Sequence, residues 1–449
     1  MRALIVGGGL VGSTLAARLT QDGHDVVLIE QSSSQISQLS ERLDVQVIQG
    51  NGGSVADLRR AGITDCDALF ACTSSDETNM VVAFVGSAIF GVPRVVARLR
   101  EPHSENTFES LVETFSGDQV SVNPDRAAVE KILSLLPVPG AVDVSPFLDG
   151  RLLIAGFLIK PTSDFAGLLL SHLRLLFPHT PVLVVAMRRG ERWWVPRGDD
   201  EIQAGDLVYF ALDQVEMANV LALLGNQPSR EHRVLVAGAT RIGMLLAQRL
   251  EEQGVPVTLL DHRPAACAAA AGMLQQALVV EGSATSQELL VEEGVDHTLA
   301  FVACSEDHQA NLVSCLLARR AGAAHTFALV DDRALAPLVG ELGIDAVISP
   351  RLLTVGLVLQ FVRRGSIRAA AALLEAHVEV VEVDLERGSP LLQGALRDLD
   401  LPRGVLVAAV GHAGTVTVPQ GDARLPEGGR AVLVSSAEHA RNLDAFLGG

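Results

Sequence analysis

The chain lacks the features that mark several large classes of protein. It has five cysteines in 449 residues, and none of them forms a CxxC pair or a metal-ligand spacing; this argues against a zinc site or a disulfide framework and predicts reduced core thiols. Asp and Glu outnumber Lys and Arg by 53 to 35, for a formal charge of −18. That charge argues against nucleic acids held through phosphate contacts and against a polybasic membrane anchor.

Membrane and catalytic signatures are also missing. No apolar run reaches the roughly 18 residues that a membrane-spanning helix needs; the longest, Met80 to Gly91, predicts a buried helix. The first apolar strand begins almost at Met1, so no signal peptide is expected. The sequence contains no HExxH or GKS/T motif and no evident Ser-His-Asp arrangement. The sequence therefore gives no positive indication of an enzyme.

What the chain does contain is a repeat. Residues 4–12 read Leu-Ile-Val-Gly-Gly-Gly-Leu-Val-Gly and lead through a helical pattern to a strand that ends at Glu30. Residues 235–243 read Leu-Val-Ala-Gly-Ala-Thr-Arg-Ile-Gly and lead in the same way to Asp261. A short strand, a glycine turn, a helix and a second strand ending in an acid form the dinucleotide-binding βαβ unit. The two repeats are called copy one and copy two.

The rest of each half predicts the fold class. Strands alternate with helices after each βαβ unit, which indicates a parallel sheet covered on both faces. Each half then ends in a smaller unit of short strands and turns, marked by Val-Pro-x-Gly-Asp at 195–199 and 418–422. We predict an α/β protein with two Rossmann-like, doubly wound domains, each followed by a small α+β domain. The predicted domains cover residues 1–136, 137–226, 227–371 and 372–449.

The glycine loop of copy one predicts nucleotide binding. Gly7 suits the tight turn, Gly9 lets a pyrophosphate approach the backbone, and Gly12 allows close packing of helix on strand. The start of the helix offers N–H groups to phosphate. Glu30 can accept hydrogen bonds from a ribose diol and would repel a 2′-phosphate, which favours NAD(H) over NADP. The alternative is a Rossmann shell kept for packing. The loop residues expected to contact the ligand are Gly7, Gly8, Gly9, Leu10, Val11 and Gly12.

Two further positions in copy one are candidate ligand contacts. Thr73 and Ser74 follow the fourth strand at the edge of the sheet where ligands bind, and their hydroxyls are suited to line the ligand. The alternative is that this segment only caps the next helix. Arg98 ends the following strand; a phosphate or carboxylate partner and a surface salt bridge are both compatible with it.

Copy two departs from the pattern. Thr240 replaces the middle glycine, and its Cβ would crowd a pyrophosphate. Asp261 still provides an acidic residue at the end of the second strand. Arg241 lies beside any bound phosphate, which favours a mononucleotide such as ATP or ADP. Val330 stands near the place of Arg98, so the cation is lost. The alternative is a degenerate copy retained for assembly. The candidate contacts are Gly238, Ala239, Thr240, Arg241, Ile242, Gly243 and Asp261.

At this point the residues match a family. The chain resembles the TrkA family, the peripheral nucleotide-binding subunits of Trk potassium uptake systems, which carry tandem regulator-of-potassium-conductance (RCK) domains. The matching residues include Gly7 to Gly12 with Glu30, the Gly50-Asn51-Gly52 turn, residues 73–79, Val96-Ala97-Arg98 and the two Val-Pro-x-Gly-Asp segments. Asn51, a further candidate ligand contact, stands where the family usually has Asp. The resemblance covers essentially the whole chain.

The resemblance implies a function. It implies a homo-oligomeric ring, a dimer or tetramer, at the cytoplasmic face of the cell membrane, below an integral potassium-translocating subunit of the TrkH/TrkG type. It implies NAD(H) and ATP or ADP as regulatory ligands and no catalysis. The alternatives are an NAD-dependent dehydrogenase with two Rossmann domains, which would need a proton donor or acceptor near the nicotinamide, and an RCK regulator of another cation transporter.

Overall fold

The first parallel sheet is built from strands whose residues are almost all apolar. In a computed structural model, β1 and β4 are buried nearly from end to end, as expected for strands covered on both faces. The strand order is β3-β2-β1-β4-β5-β6. Strands β2 and β3 are therefore added on one side of β1, and β4 to β6 are added on its other side. The strands are β1 Arg2–Val6, β2 Asp25–Glu30, β3 Gln46–Gln49, β4 Ala68–Ala71, β5 Arg94–Arg98 and β6 Asp118–Val122. The helices are α1 Leu10–Gln21, α2 Ser33–Arg42, α3 Val55–Arg60, α4 Asp76–Phe84 (continued by a π-helical turn, Val85–Ile89), α5 Pro102–Val112 and α6 Pro124–Leu135.

A small antiparallel sheet follows. Its order is β10-β9-β11-β8-β7. The inner strand β11 pairs with β8 and β9 and is buried along almost its whole length. The strands are β7 Ala141–Phe147, β8 Leu152–Leu158, β9 Val182–Arg189, β10 Arg192–Trp194 and β11 Leu207–Asp213, and the helices are α7 Leu173–Leu176 and α8 Met217–Leu223.

The second parallel sheet repeats the first. Its order, β14-β13-β12-β15-β16-β17, is the same once the strands are matched. The strands are β12 Val234–Ala237, β13 Val257–Asp261, β14 Leu278–Glu281, β15 Ala300–Ala303, β16 Thr326–Leu329 and β17 Ala346–Ile348. The helices are α9 Arg241–Glu252, α10 Pro264–Met273, α11 Gln287–Glu292, α12 His308–Arg320 and α13 Pro350–Val362.

The second small sheet packs against the first. Its order is β18-β19-β22-β20-β21. Ile154 and Tyr209 of the first small sheet share one buried cluster with Val380 and Val434 of the second. The predicted fold class is confirmed: two Rossmann-like sheets, each followed by a small domain with an antiparallel sheet. The strands are β18 Ile367–Leu373, β19 Val378–Asp384, β20 Val405–His412, β21 Thr415–Thr417 and β22 Arg430–Ser436.

The chain forms two compact units, and each is made of two separate stretches of sequence. One consists of Met1–Ala128 with Ser349–Arg363, and the other of Val129–Ile348 with Arg364–Gly449. Helix α13 follows the last strand of copy two, but its Val358 and Phe361 lie in the core of copy one with Ile5 and Leu15. The helix that closes the second repeat in sequence therefore completes the first parallel-sheet unit. The domain boundaries set out from the sequence remain predictions.

The structure describes residues 1–112, 117–177, 182–213, 216–226, 231–331, 342–362, 367–373, 378–402, 404–436, 443 and 446. Within these ranges no helix has both the length and the apolar composition needed to cross a bilayer. All five cysteines are buried free thiols, which confirms the prediction of core thiols.

Candidate functional site

Two glycines of the first loop are required by close backbone contacts. Gly7 follows β1 with φ +103°, a conformation that side chains disfavour, and a Cβ there would lie 2.9 Å from the backbone of Cys72 and Thr73. A Cβ at Gly12 would lie 1.9 Å from the carbonyl oxygen of Gly7. The first glycine therefore brings the ends of β1 and β4 together, and the last one brings α1 onto the loop.

The middle glycine is not required by the protein's own packing. A Cβ at Gly9 would meet no atom within 4 Å, and its backbone is extended. Helix α1 begins at Leu10, which is 64% exposed, and Gly9 supplies no side-chain cap. Backbone N–H groups at an uncapped helix start bind anions well. The space beside Gly9 suits a phosphate.

Glu30 is fixed beside this loop by backbone donors. Its Oε2 accepts the N–H of Gly8 at 2.7 Å, and its Oε1 accepts those of Gln31 and Ser32 at 2.7 and 2.9 Å. A carboxylate offers about four acceptor positions, and these bonds use three. One position is left for a ribose hydroxyl.

A buried amide joins the two strands at the ligand edge. Asn79, in α4, donates to the carbonyl oxygens of Thr73 and Arg98 at 3.1 and 2.7 Å and accepts the N–H and hydroxyl of Thr73 at 2.9 and 2.7 Å. Asn311 makes the corresponding bonds to Ser305 and Leu329. Asn79 and Asn311 stand at matching places in the two repeats, and this recurrence is the signal in the sequence that points to a shared role.

Arg98 carries unused hydrogen-bonding capacity. Its Nη1 donates to the carbonyl oxygen of Thr73 at 3.2 Å, while its Nε is buried without a hydrogen-bond partner among the described residues. Burial, and then the nearby Arg100, lower the pKa of the guanidinium. Removing a cation from water is costly unless opposite charges and hydrogen bonds offset it, and Asp125 and Asp76 offset part of the cost here. An anion bound at this edge would add a further counter-charge.

The remaining candidates of copy one have local contacts. Asn51 accepts the N–H of Gly53 on its side-chain oxygen and donates its own N–H to Asp57, both at 2.9 Å, so it shapes the turn after β3. Ser74 is exposed beside Thr73. The helix-capping role falls on Ser75, whose hydroxyl accepts the N–H of Thr78.

The loop of copy two has the same backbone but different side chains. Gly238 has φ +117°, and a Cβ at Gly243 would again lie 1.9 Å from a carbonyl oxygen, that of Gly238. The hydroxyl of Thr240 accepts the N–H of Gly243 at 3.2 Å and donates to the carbonyl oxygen of Cys304 at 2.7 Å. The side chain of Thr240 thus caps helix α9, which starts with the exposed Arg241.

Asp261 is held by more donors than Glu30. It accepts the N–H of Ala239 at 2.7 Å, and Arg263 donates to both of its oxygens through Nε and Nη2, at 3.0 and 2.9 Å. Burial acts to raise the pKa of Asp261, but the hydrogen bonds from Arg263 and Ala239 outweigh it and lower the pKa to about 2. No motif in the sequence marks Arg263 as part of this site.

The residue of copy two at the place of Arg98 differs from the one expected from the sequence. The side-chain nitrogen of Asn79 donates to the carbonyl of Arg98, and that of Asn311 donates to the carbonyl of Leu329. Leu329, and not Val330, therefore occupies the place of Arg98. The inference that the cation is lost in copy two stands, because leucine is also apolar.

The comparisons with known proteins follow the duplicated architecture. The family model described as the TrkA-N domain matches residues 3–116 and 234–350, and the TrkA-C domain model matches residues 154–225 and 380–448. The chain is 34% identical to the Trk system potassium uptake protein TrkA of Azorhizobium caulinodans, over 100% of this chain and 98% of that protein. It is 30% identical to the TrkA protein of Halomonas elongata, over 96% and 95%.

Solved structures agree on the fold. The chain is similar to the GsuK RCK domain with a TM-score of 0.62 and 19% identity, over 99% of this chain and 94% of that one. It is equally similar to a GsuK channel bound to NAD, with 99% of this chain and 78% of that one covered.

Proposed function

This chain belongs to the TrkA family of potassium uptake proteins, and on that premise we propose that it is a regulatory subunit that binds NAD(H) in copy one. The binding surface is the edge where the ends of β1 and β4 meet. The uncapped start of α1 and Arg98 bind the phosphates, and Glu30 binds the adenosine ribose. The observation that carries the proposal is the pairing of an uncapped glycine loop with a carboxylate that retains one acceptor position.

Copy one binds its ligand without converting it. Cys72 lies beside the loop, and burial raises the pKa of its thiol to about 12, so the thiol stays protonated at neutral pH and cannot act as a general base. Thr73 is committed to hydrogen bonds with Asn79 and Ser75. These groups position backbone at the ligand edge and supply no proton transfer to a nicotinamide.

The bound nucleotide regulates transport. We place the subunit at the cytoplasmic face of the membrane, assembled with further copies of itself beneath a potassium-translocating subunit of the TrkH/TrkG type. NAD(H) and ATP or ADP shift the assembly between conducting and non-conducting states through their different affinities for the two. A tenfold shift requires only about 1.4 kcal/mol, within the usual range of allosteric coupling.

Glu30→Ala is expected to weaken NADH binding strongly. The substitution removes the ribose acceptor and the anchor of the Gly8 amide, which should cost about 1–3 kcal/mol of binding free energy, or roughly 5- to 150-fold in Kd. Calorimetric titration with NADH measures this, with Asp261→Ala as the matched control in copy two. A loss confined to Asp261→Ala would reverse the assignment.

Steady oxidation of NADH with keto acids, or copurification with no membrane transporter, would contradict the regulatory role.

Arg98→Leu is expected to weaken nucleotide binding without lowering stability. It installs the residue type found at the matching place, Leu329. The Thr73 carbonyl keeps its bond from Asn79, so no new buried acceptor is left without a donor. We expect a Kd at least about tenfold higher for NADH and for ATP, since a hydrogen bond to a charged group contributes roughly 1.5–3 kcal/mol. Calorimetry and thermal denaturation test this together; an unchanged Kd would show that Arg98 makes no phosphate contact.

A further inference from the structure

The acids that end β2 and β13 occupy matching positions but differ in what they can still bind. Glu30 pairs with Gln49 across its sheet as Asp261 pairs with Glu281. Glu30 accepts three backbone N–H groups. Asp261 accepts two backbone N–H groups and two further bonds from Arg263. Since a carboxylate offers about four acceptor positions, all of those on Asp261 are taken.

The extra donor in copy two is a side chain at one defined position. Ser32 and Arg263 lie two residues after the acid, and each donates its backbone N–H to that acid. The Ser32 side chain forms no hydrogen bond with Glu30, whereas the side chain of Arg263 forms a bidentate ion pair with Asp261. Bidentate, charge-assisted hydrogen bonds are roughly twice as strong as neutral ones. The neutral hydroxyls of a ribose therefore compete poorly for this carboxylate.

In copy two a side chain also occupies part of the loop expected to bind phosphate. The Thr240 hydroxyl accepts the N–H of Gly243 at the start of α9, a donor that would otherwise be available to a phosphate, and its donation to the carbonyl oxygen of Cys304 holds it in place. Gly9, the matching residue of copy one, has no side chain and can form neither of these two hydrogen bonds. The carboxylate of copy two is therefore fully occupied within the protein, and one N–H group at the start of α9 is occupied as well.

We propose that Arg263 is a specificity-determining residue that closes copy two to NAD(H) by occupying the carboxylate needed for the ribose. Each chain then carries a single NAD(H) site, in copy one. This inference rests on the proposed function, because it takes copy one to bind NAD(H). Arg263 is 44% exposed on its side chain, so its replacement disturbs little packing.

The first test moves the ion pair into copy one. Ser32→Arg places a guanidinium two residues after Glu30, and Ser32→Gln is the matched control of similar length without charge. We expect Ser32→Arg to raise the Kd for NADH at least about tenfold and Ser32→Gln to change it less than about threefold, measured by calorimetry. Unchanged binding in Ser32→Arg, with an unaltered melting temperature, would overturn the proposal.

The second test opens copy two. Thr240→Gly alone is expected to keep the stoichiometry at one NADH per chain, and Thr240→Gly with Arg263→Ser to raise it to two. A second equivalent in the wild-type protein or in Thr240→Gly alone would overturn the role of Arg263, as would a single equivalent in a folded double variant. If the wild-type protein bound no NADH, the proposed function of copy one would fail instead, so the two failures are distinguishable.

Discussion

Gly12→Ala is expected to destabilise copy one severely. The new methyl group would lie 1.9 Å from the carbonyl oxygen of Gly7, and neither backbone segment can move without separating α1 from β1. Overpacking against side chains commonly costs 1–3 kcal/mol, and against fixed backbone we expect about 3 kcal/mol or more. Hydrogen exchange of the β1 and α1 amides should accelerate by at least about a hundredfold, and NADH binding should be lost.

Gly9→Ala is the matched control, because its Cβ would meet no protein atom within 4 Å and its backbone is extended. This variant should keep wild-type exchange rates but bind NADH at least about tenfold more weakly, since the methyl group occupies the space of the pyrophosphate. Normal hydrogen exchange in Gly12→Ala, or full NADH affinity in Gly9→Ala, would contradict this division of roles.

Asn79→Ala is expected to disrupt the ligand edge of copy one. The substitution removes four hydrogen bonds and leaves the Thr73 N–H and the Arg98 carbonyl without their partner. Each buried polar group left unpaired costs about 1–3 kcal/mol, so a total loss of roughly 2–6 kcal/mol of stability is expected. The ends of β4 and β5 should exchange hydrogen faster, and NADH binding should fall at least about tenfold.

Asn311→Ala removes the corresponding bonds in copy two. It should accelerate exchange at the ends of β15 and β16 by a similar factor. NADH affinity should stay unchanged, because copy one is intact. An equal loss of NADH binding in both variants would show that the effect of Asn79 is not local to its ligand edge.

The sequence determined the features that depend on short stretches of chain. Gly7 and Gly12 have to be glycine because of contacts within or next to the same loop, and the apolar strands alternate with helices at a spacing that allows little except a parallel sheet. The position of Glu30 follows from the length of that βαβ unit. Duplication made the pattern more specific, since each copy predicts the other.

Tertiary structure decided whatever depends on residues brought together from separate elements. Helix α13 is apolar enough to pack on either parallel sheet, and only the folded chain shows that Val358 and Phe361 complete copy one. The match of Arg98 with Leu329 depended on which carbonyl each asparagine reaches, 19 or 18 residues along the chain. Spacing along the chain alone points one residue further, to Val330.

The difference between the two ligand edges shows the same limit. Copy two keeps its acid in sequence, but Arg263 and Thr240 turn their hydrogen-bonding groups inward onto Asp261 and α9. A pattern of residue types gives the position of a carboxylate or an amide. Only the geometry of its neighbours shows whether that group is already satisfied, because hydrogen bonds depend on distances and angles that spacing along the chain does not fix.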